Sequence, residues 1–307
     1  MKIAVMGSGG IGGYFGGRLA AAGADIAFIA RGDHGAAMAA DGIRIISPLG
    51  DAHISPVRVT ADPAEIGPVD VVMFAVKLYD CESAAELCRT FLKADTAVIS
   101  FLNGIDSEAI IARLLGAEHS VGGIAYIPAD IREPGVISHN APFASLAFGE
   151  MDGRASPRLD AFLQVCQGAG IDTSIRDNIA VALWDKFVML ASLAAVTSLT
   201  RQPARAIHDD DDIRQLCRDA VEEGVAVARA KNIGLAPDTV DKVMATIAQF
   251  PPTAQSSMLT DLERGKPLEL EWFSGTIARL GAELGVPTPI HRTTYAALKP
   301  YAKGAVE

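Results

Sequence analysis

Short apolar runs alternate with amphipathic stretches along the first half of the chain. The apolar runs predict β-strands, which in chain order are Lys2 to Met6, Asp25 to Ala30, Val69 to Val76, Ala97 to Phe101 and Ser120 to Tyr126. The stretches between them predict helices at Tyr14 to Ala22, His34 to Ala40, Cys81 to Phe91 and Glu108 to Leu114. This alternation is typical of a parallel sheet covered by helices on both faces, and we therefore predict an α/β domain with a doubly wound sheet.

The pattern changes toward the C-terminus. Gly135 to His139 and Ser145 to Glu150 predict strands that extend the sheet antiparallel. Long helical stretches follow from Asn178 onward, namely Ile179 to Leu199, Asp212 to Lys231, Asp238 to Gln249 and Leu268 to Leu284. We predict two domains, 1–176 and an all-helical 177–307, with a substrate cleft between them that the first long helix reaches.

Composition and charge narrow the class of protein. A chain of 307 residues exceeds the usual size of one domain. No uninterrupted apolar run reaches the roughly 20 residues that span a bilayer, and the N-terminus lacks the features of a signal peptide, so we expect a soluble, cytoplasmic protein. The net charge of −10 disfavours nucleic acids and anionic membranes as partners. The four cysteines show no CxxC spacing and are expected to be reduced packing residues. A small metabolite is the expected partner.

A glycine-rich segment directly follows the first predicted strand. Gly7, Ser8, Gly9, Gly10, Ile11 and Gly12 fit the GxGxxG pattern, and a helix follows. The first glycine permits a tight turn, the second lets backbone amides approach a pyrophosphate, and the third lets the helix pack closely on the strand. The helix N-terminus adds positive partial charge. The segment therefore predicts a Rossmann-type dinucleotide site, although such turns also occur for purely structural reasons.

The residue after the second predicted strand indicates which dinucleotide binds. An NAD site usually has Asp or Glu there to bind the ribose 2′-hydroxyl, whereas this chain has Arg31. A guanidinium pairs well with a 2′-phosphate, so we expect NADPH/NADP+ rather than NAD. Lys77, after the third main strand, is a weaker candidate for the same phosphate. A solvated surface arginine is the alternative for Arg31.

Three separated segments supply candidates for reduction of a ketone, which needs a proton donor near the oxygen that hydride transfer makes negative. Asn103 follows a strand at the carboxyl edge of the sheet, where nicotinamide is expected. Lys186 lies in an apolar helix and either snorkels to solvent or points into a cleft. Ser256 could bind a substrate carboxylate, and Glu269 could orient the lysine. As alternatives, Ser256 caps a helix and Glu269 is a first-turn acid.

These segments together resemble the ketopantoate reductase family over nearly the whole chain. The residues that carry the resemblance are Gly7 to Gly12, Arg31, Lys77, Asn103-Gly104, Trp184-Asp185-Lys186-Phe187, Ser256 to Leu262 and Glu269-Leu270-Glu271. The resemblance implies a Rossmann domain followed by a helical domain. It also implies NADPH-dependent reduction of 2-dehydropantoate to pantoate, in pantothenate biosynthesis.

The resemblance further implies roles for individual residues, with one departure from the family pattern. Lys186 would be the general acid and Glu269 its partner, with Ser256 on the substrate carboxylate and Asn103 near nicotinamide and substrate. Pantoate-forming members typically carry asparagines four and eight residues after the lysine, where this chain has Leu190 and Ala194. Loss of both amides weakens selection for a hydroxylated substrate, so a more apolar 2-oxo acid is an alternative.

Other functions are less well supported by the sequence. A dehydrogenase of the 3-hydroxy acid type would share the architecture, but Arg31 and the segment from Ser256 to Glu269 favour the 2-oxo acid. A sensor that binds NADPH without turnover stays open. The six isolated histidines predict no metal site, and the chain has no GxSxG motif of a serine hydrolase. A homodimer is expected only because dimers are common.

Overall fold

A computed structural model describes residues 1–305 of the chain. The chain forms two compact units. The first contains Met1–Leu102 and Asp106–Ile179, and the second contains Asn103–Ile105 and the chain from Ala180 onward. The two units are described separately below. The domain boundary after residue 176 stays a prediction.

The first unit alternates strands and helices. Its strands are β1 (Lys2–Met6), β2 (Asp25–Ile29), β3 (Ile43–Ile46), β4 (Ala52–Ile54), β5 (Arg58–Thr60), β6 (Val71–Phe74), β7 (Ala97–Ser100), β8 (Ser120–Tyr126), β9 (Ala129–Glu133), β10 (Val136–His139), β11 (Ser145–Glu150) and β12 (Asp172–Ile175). Its helices are α1 (Gly10–Ala21), α2 (Gly32–Asp41), α3 (Cys81–Cys88), α4 (Ser107–Leu115) and α5 (Pro157–Gly168).

The main sheet has eight strands in the order β12-β11-β8-β7-β6-β1-β2-β5. All neighbours pair in parallel except β8 and β11, which are antiparallel. The central strands β6 and β7 are fully buried, as expected when helices cover both faces of a parallel sheet. The predicted doubly wound sheet is confirmed, and so is its antiparallel extension by Ser145 to Glu150.

A second, four-stranded sheet has the order β4-β3-β10-β9 and packs on α1. The prediction that Gly135 to His139 extends the main sheet is wrong, because β10 pairs with β3 and β9 instead. Glycines of α1 make room for this packing. A Cβ on Gly13 would lie 2.8 Å from Ile137 of β10, and one on Gly17 would lie 2.8 Å from Ile45 of β3.

The second unit is helical. Its helices are α6 (Ile179–Thr200), whose first residue belongs to the first unit, α7 (Arg205–Asp209), α8 (Asp211–Ala230), α9 (Thr239–Ala248), α10 (Ser257–Glu263), α11 (Thr276–Leu284) and α12 (Pro289–Leu298). Asp210 caps α8 by accepting hydrogen bonds from the backbone N–H groups of Asp212 and Ile213. The α6 helix is long and apolar enough to cross a membrane, but 67% of its most apolar window is buried inside the protein. That degree of burial is typical of a core helix.

The predicted helix from Leu268 to Leu284 is wrong in its first half. Residues 266–269 are non-helical, a π-helical turn covers Glu271–Gly275, and regular α-helix begins only at Thr276. The backbone N–H of Gly275 donates to the carbonyl of Leu270, which is the wider hydrogen bond of a π-turn. Only Leu270 separates Glu269 from this turn.

Candidate active site

The predicted site residues lie in two groups, one in each unit. The first unit contains Gly7 to Gly12, Arg31 and Lys77, and the second unit contains Asn103, Lys186, Leu190, Ala194, Ser256 and Glu269. Each group is described by itself.

The glycine-rich turn connects β1 to α1, and the structure explains some of its glycines but not all of them. Gly7 has φ of +95°, a conformation that favours glycine. A Cβ on Gly12 would lie 2.1 Å from the carbonyl oxygen of Gly7, so the helix could not pack this closely with any other residue. A Cβ on Gly9 would meet nothing within 4 Å. Packing inside the protein therefore does not require a glycine at position 9, whereas a ligand that approaches the backbone does.

The rest of the turn is fixed by hydrogen bonds and close packing. The hydroxyl of Ser8 is buried and donates to the carbonyl of Ile29, at the end of β2, over 3.1 Å. A Cβ on Gly10 would lie 2.1 Å from the carbonyl oxygen of Ala129 in β9. Ile11 is half-buried and packs against the core of the first unit. These contacts constrain the conformation of the turn, and its place at a helix N-terminus suits a pyrophosphate site.

Arg31 and Lys77 both follow strands of the main sheet. Arg31 is exposed and occupies the N-cap position of α2, two residues after β2 ends at Ile29. Lys77 is half-buried and precedes a short 3-10 turn at Leu78–Asp80. Their positions at the carboxyl ends of β2 and β6 fit residues that contact a dinucleotide bound at that edge of the sheet.

Lys186 is buried in the second unit, with only 9% of its surface exposed. Its ammonium donates a hydrogen bond of 2.8 Å to Oδ1 of Asn103. The alternative in which this lysine snorkels to solvent is therefore wrong. Burial lowers the pKa of Lys186 from 10.5 to about 8, because a charged ammonium loses hydration there. An amine with this pKa can donate a proton near neutral pH.

Ser256 caps α10 and contacts α6. Its hydroxyl accepts a hydrogen bond from the backbone N–H of Leu259 and lies 2.8 Å from the hydroxyl of Thr197. The single proton of Thr197 goes to the carbonyl of Leu193, so Ser256 is the donor between the two hydroxyls. The alternative role of Ser256 as a helix N-cap is confirmed. A substrate carboxylate would have to attract the Ser256 proton away from Thr197.

The remaining predicted residues of this unit are largely apolar or buried. Glu269 has 6% of its surface exposed, and its backbone carbonyl accepts hydrogen bonds from the N–H groups of Trp272 and Phe273. It therefore does not lie in the first turn of a regular α-helix. Leu190 is half-buried and Ala194 is buried, both on α6 beyond Lys186. The side chains four and eight residues after Lys186 on α6 are therefore both apolar.

The structure also brings His34 to the glycine-rich turn, although the sequence analysis assigns this isolated histidine no role. It lies in the first turn of α2, and its Nε2 is 2.9 Å from the carbonyl oxygen of Ser8 in the glycine-rich turn. The only signal in the sequence is that His34 comes three residues after Arg31.

Comparisons with known proteins match the chain along most of its length. The family model described as ketopantoate reductase PanE/ApbA matches residues 3–153, and the model of that family's C-terminal part matches residues 178–302. The uncharacterized oxidoreductase YkpB of Bacillus subtilis is 28% identical, with 98% of this chain and 99% of YkpB covered. A 2-dehydropantoate 2-reductase of Mesorhizobium japonicum is 29% identical, with 94% of each chain covered.

A solved structure agrees with these relatives. The 2-dehydropantoate 2-reductase from Geobacter metallireducens superposes with a TM-score of 0.91 at 29% identity, covering 97% of this chain and 99% of the other.

Proposed function

Because the chain belongs to the ketopantoate reductase family of oxidoreductases, we propose that it reduces a 2-oxo acid to the 2-hydroxy acid with NADPH. The first substrate candidate is 2-dehydropantoate, with pantoate as the product for pantothenate biosynthesis in the cytoplasm. The observation that carries the proposal is Lys186, whose buried ammonium is hydrogen-bonded to Asn103 and has a pKa of about 8.

In this proposal the first unit holds the dinucleotide. The backbone of Gly7 to Gly12 binds the pyrophosphate, Arg31 binds the 2′-phosphate, and Lys77 adds positive charge. The open side of Gly9 and the exposure of Arg31 support this assignment. The bound nicotinamide supplies the hydride.

The second unit supplies the proton. Lys186 donates it to the ketone oxygen of the substrate as negative charge develops there, and Asn103 keeps the ammonium oriented through its Oδ1 atom. Glu269 contacts substrate and partners the lysine, and the Ser256 hydroxyl binds the substrate carboxylate. Burial strengthens the interaction between the ammonium and an oxyanion because little water competes with it.

A second substrate class is favoured by one feature of α6. Leu190 and Ala194 present no hydrogen-bonding side chains along the helix that carries Lys186. A pocket without such groups discriminates weakly for hydroxyl groups on a substrate. A 2-oxo acid with a larger apolar side chain is therefore the alternative to 2-dehydropantoate.

The experiment follows NADPH oxidation by its near-ultraviolet absorbance, with purified protein and a panel of 2-oxo acids. The panel contains 2-dehydropantoate, pyruvate and bulkier branched analogues. Turnover fastest on 2-dehydropantoate supports the first candidate, and preference for a branched analogue supports the second. Tight NADPH binding without oxidation of any acid would contradict the proposal and identify an NADPH sensor.

A further inference from the structure

We infer that His34 is a positioning residue of the dinucleotide site: its ring fixes the peptide group between Ser8 and Gly9 in the orientation that binds the pyrophosphate. The inference rests on the proposed function, since it takes the glycine-rich turn to be the binding site. His34 itself is not assigned a contact with the dinucleotide.

Both ring nitrogens of His34 have backbone partners. The backbone N–H of Gly135, in the turn between β9 and β10, points at Nδ1 over 3.1 Å, and Nε2 lies 2.9 Å from the Ser8 carbonyl oxygen. A backbone N–H can only donate, so Nδ1 is the acceptor and the proton of the neutral ring is on Nε2. Burial favours this neutral form by lowering the pKa of His34. His34 therefore donates a hydrogen bond to Ser8.

This hydrogen bond also orients the amide of Gly9. The carbonyl of Ser8 and the N–H of Gly9 belong to one planar trans peptide group, so they point in opposite directions. Gly9 has φ of −74°. As a glycine it could also adopt positive φ, which would allow the peptide group to turn by about 180°. The bond from His34 opposes that rotation, and so it holds the Gly9 N–H in one direction.

Ser8 is held at a second point that does not control this rotation. Its side-chain hydroxyl donates to the carbonyl of Ile29, which fixes the side chain of Ser8 next to β2. The carbonyl of Ser8 can still rotate about the Cα–C bond of the same residue. Orientation of the Ser8–Gly9 peptide group is therefore assigned to the ring of His34.

The position of His34 also predicts how its effect differs from that of Arg31. The pyrophosphate is common to NADPH and NADH, whereas only NADPH has a 2′-phosphate. Loss of the His34 hydrogen bond is therefore expected to weaken both dinucleotides by the same factor. Loss of Arg31 is expected to weaken NADPH selectively.

Two substitutions of His34 separate the two ring nitrogens. Asparagine is short and can replace only the acceptor at Nδ1, whereas glutamine is long enough to place an N–H donor near the position of Nε2. We expect His34→Asn to raise the dissociation constants of NADPH and NADH by about tenfold each, which corresponds to about 1.4 kcal/mol. His34→Gln should remain within about twofold of the wild type, since one net hydrogen bond is the difference. The dissociation constants are measured by fluorescence titration, with Tm recorded for each variant.

His53→Asn is the matched control. His53 also has its Nε2 near a backbone carbonyl, that of Asp41 at the end of α2, over 2.8 Å. This substitution removes a comparable hydrogen bond at the opposite end of the same helix. It should leave both dissociation constants unchanged.

Three outcomes would overturn the inference while leaving the proposed function intact. They are wild-type affinity in His34→Asn, equal weakening in His34→Asn and His34→Gln, and weakening confined to NADPH. Wild-type protein that binds neither dinucleotide would instead contradict the proposed function.

If His34→Asn does not fold, a measurement on the wild-type protein can still test the role of His34. Nitrogen-15 NMR of labelled histidine should show His34 protonated at Nε2 at neutral pH, with a resonance that shifts when NADPH is added. Protonation at Nδ1, or no response to NADPH, would overturn the inference.

Discussion

The candidate sites of the two units are built from different parts of the chain. The glycine-rich turn of the first unit is six consecutive residues, and close packing fixes the backbone around most of its glycines. The site of the second unit depends on side chains from separate segments, such as Asn103 and Lys186. Local sequence is enough to recognise the first kind of site. The second kind depends on burial, which spacing along the chain does not reveal.

The two candidate sites also differ in how much they lower the free energy of unfolding. The turn of the first unit uses well-packed neutral groups, whereas the second unit buries the ammonium of Lys186. Burial lowers its pKa from 10.5 to about 8, which corresponds to about 3 kcal/mol for holding the charge in the folded protein. The hydrogen bond to Asn103 offsets part of this cost.

The largest expected effect is the loss of catalysis by the second unit, with dinucleotide binding by the first unit unchanged. Lys186→Met should reduce kcat by a factor of about 100 to 10,000, because positioned general acids contribute on this scale. The dissociation constant of NADPH should change little. Steady-state kinetics and fluorescence titration measure the two quantities.

Lys231→Met is the control for this substitution, since Lys231 is exposed at the end of α8. It should preserve kcat. Near-normal turnover in Lys186→Met would mean that another group donates the proton.

The same substitution should stabilise the second unit. Methionine has a similar length and no charge, so Lys186→Met should raise the free energy of unfolding at pH 7 by about 2 kcal/mol. Between pH 8 and 10.5 the unfolded wild type binds more protons than the folded protein, so wild-type stability rises with pH and the difference should narrow. Denaturant titrations at pH 7 and pH 10 measure both effects. A destabilised variant would show that the ammonium is well compensated by its neighbours.

A smaller effect is expected in the first unit. Arg31→Ala should weaken NADPH by about tenfold, because a charge-assisted hydrogen bond to a phosphate contributes about 1.5 kcal/mol or more. NADH should bind as before. The control is Arg154→Ala, since the Arg154 side chain is 81% exposed and paired with Asp152. Equal loss of NADPH and NADH in Arg31→Ala would remove its assignment to the 2′-phosphate.

The comparison between units also explains which parts of the fold the sequence predicts. The predicted bounds of β1 and β8 agree with the structure, because nearly all residues of both strands are buried inside the sheet and few are charged. The strand β9 was missed, since four of its five residues are exposed and its apolar alternation is limited to Ala129 and Ile131. It forms by pairing with β10 in a second sheet, which no local sequence pattern predicts.

The candidate residues show the same limit. The sequence identifies Lys186 as a candidate but leaves its burial undecided, because an apolar helix can either hide a lysine or let it reach solvent. His34 was missed because its two partners, Ser8 and Gly135, are 26 and 101 residues away along the chain. Only the fold brings them to one imidazole ring.

The pH dependence of kcat/KM tests the role of Lys186 most directly. For a general acid with a pKa of about 8, kcat/KM for the 2-oxo acid at saturating NADPH should be constant below pH 7. Above pH 8 it should fall by about tenfold per unit, because only the ammonium form donates the proton. In Lys186→Met the residual activity should lose this dependence. A wild-type profile that stays flat to pH 10, or a decline near pH 8 that persists in Lys186→Met, would contradict the assignment of Lys186 as the acid.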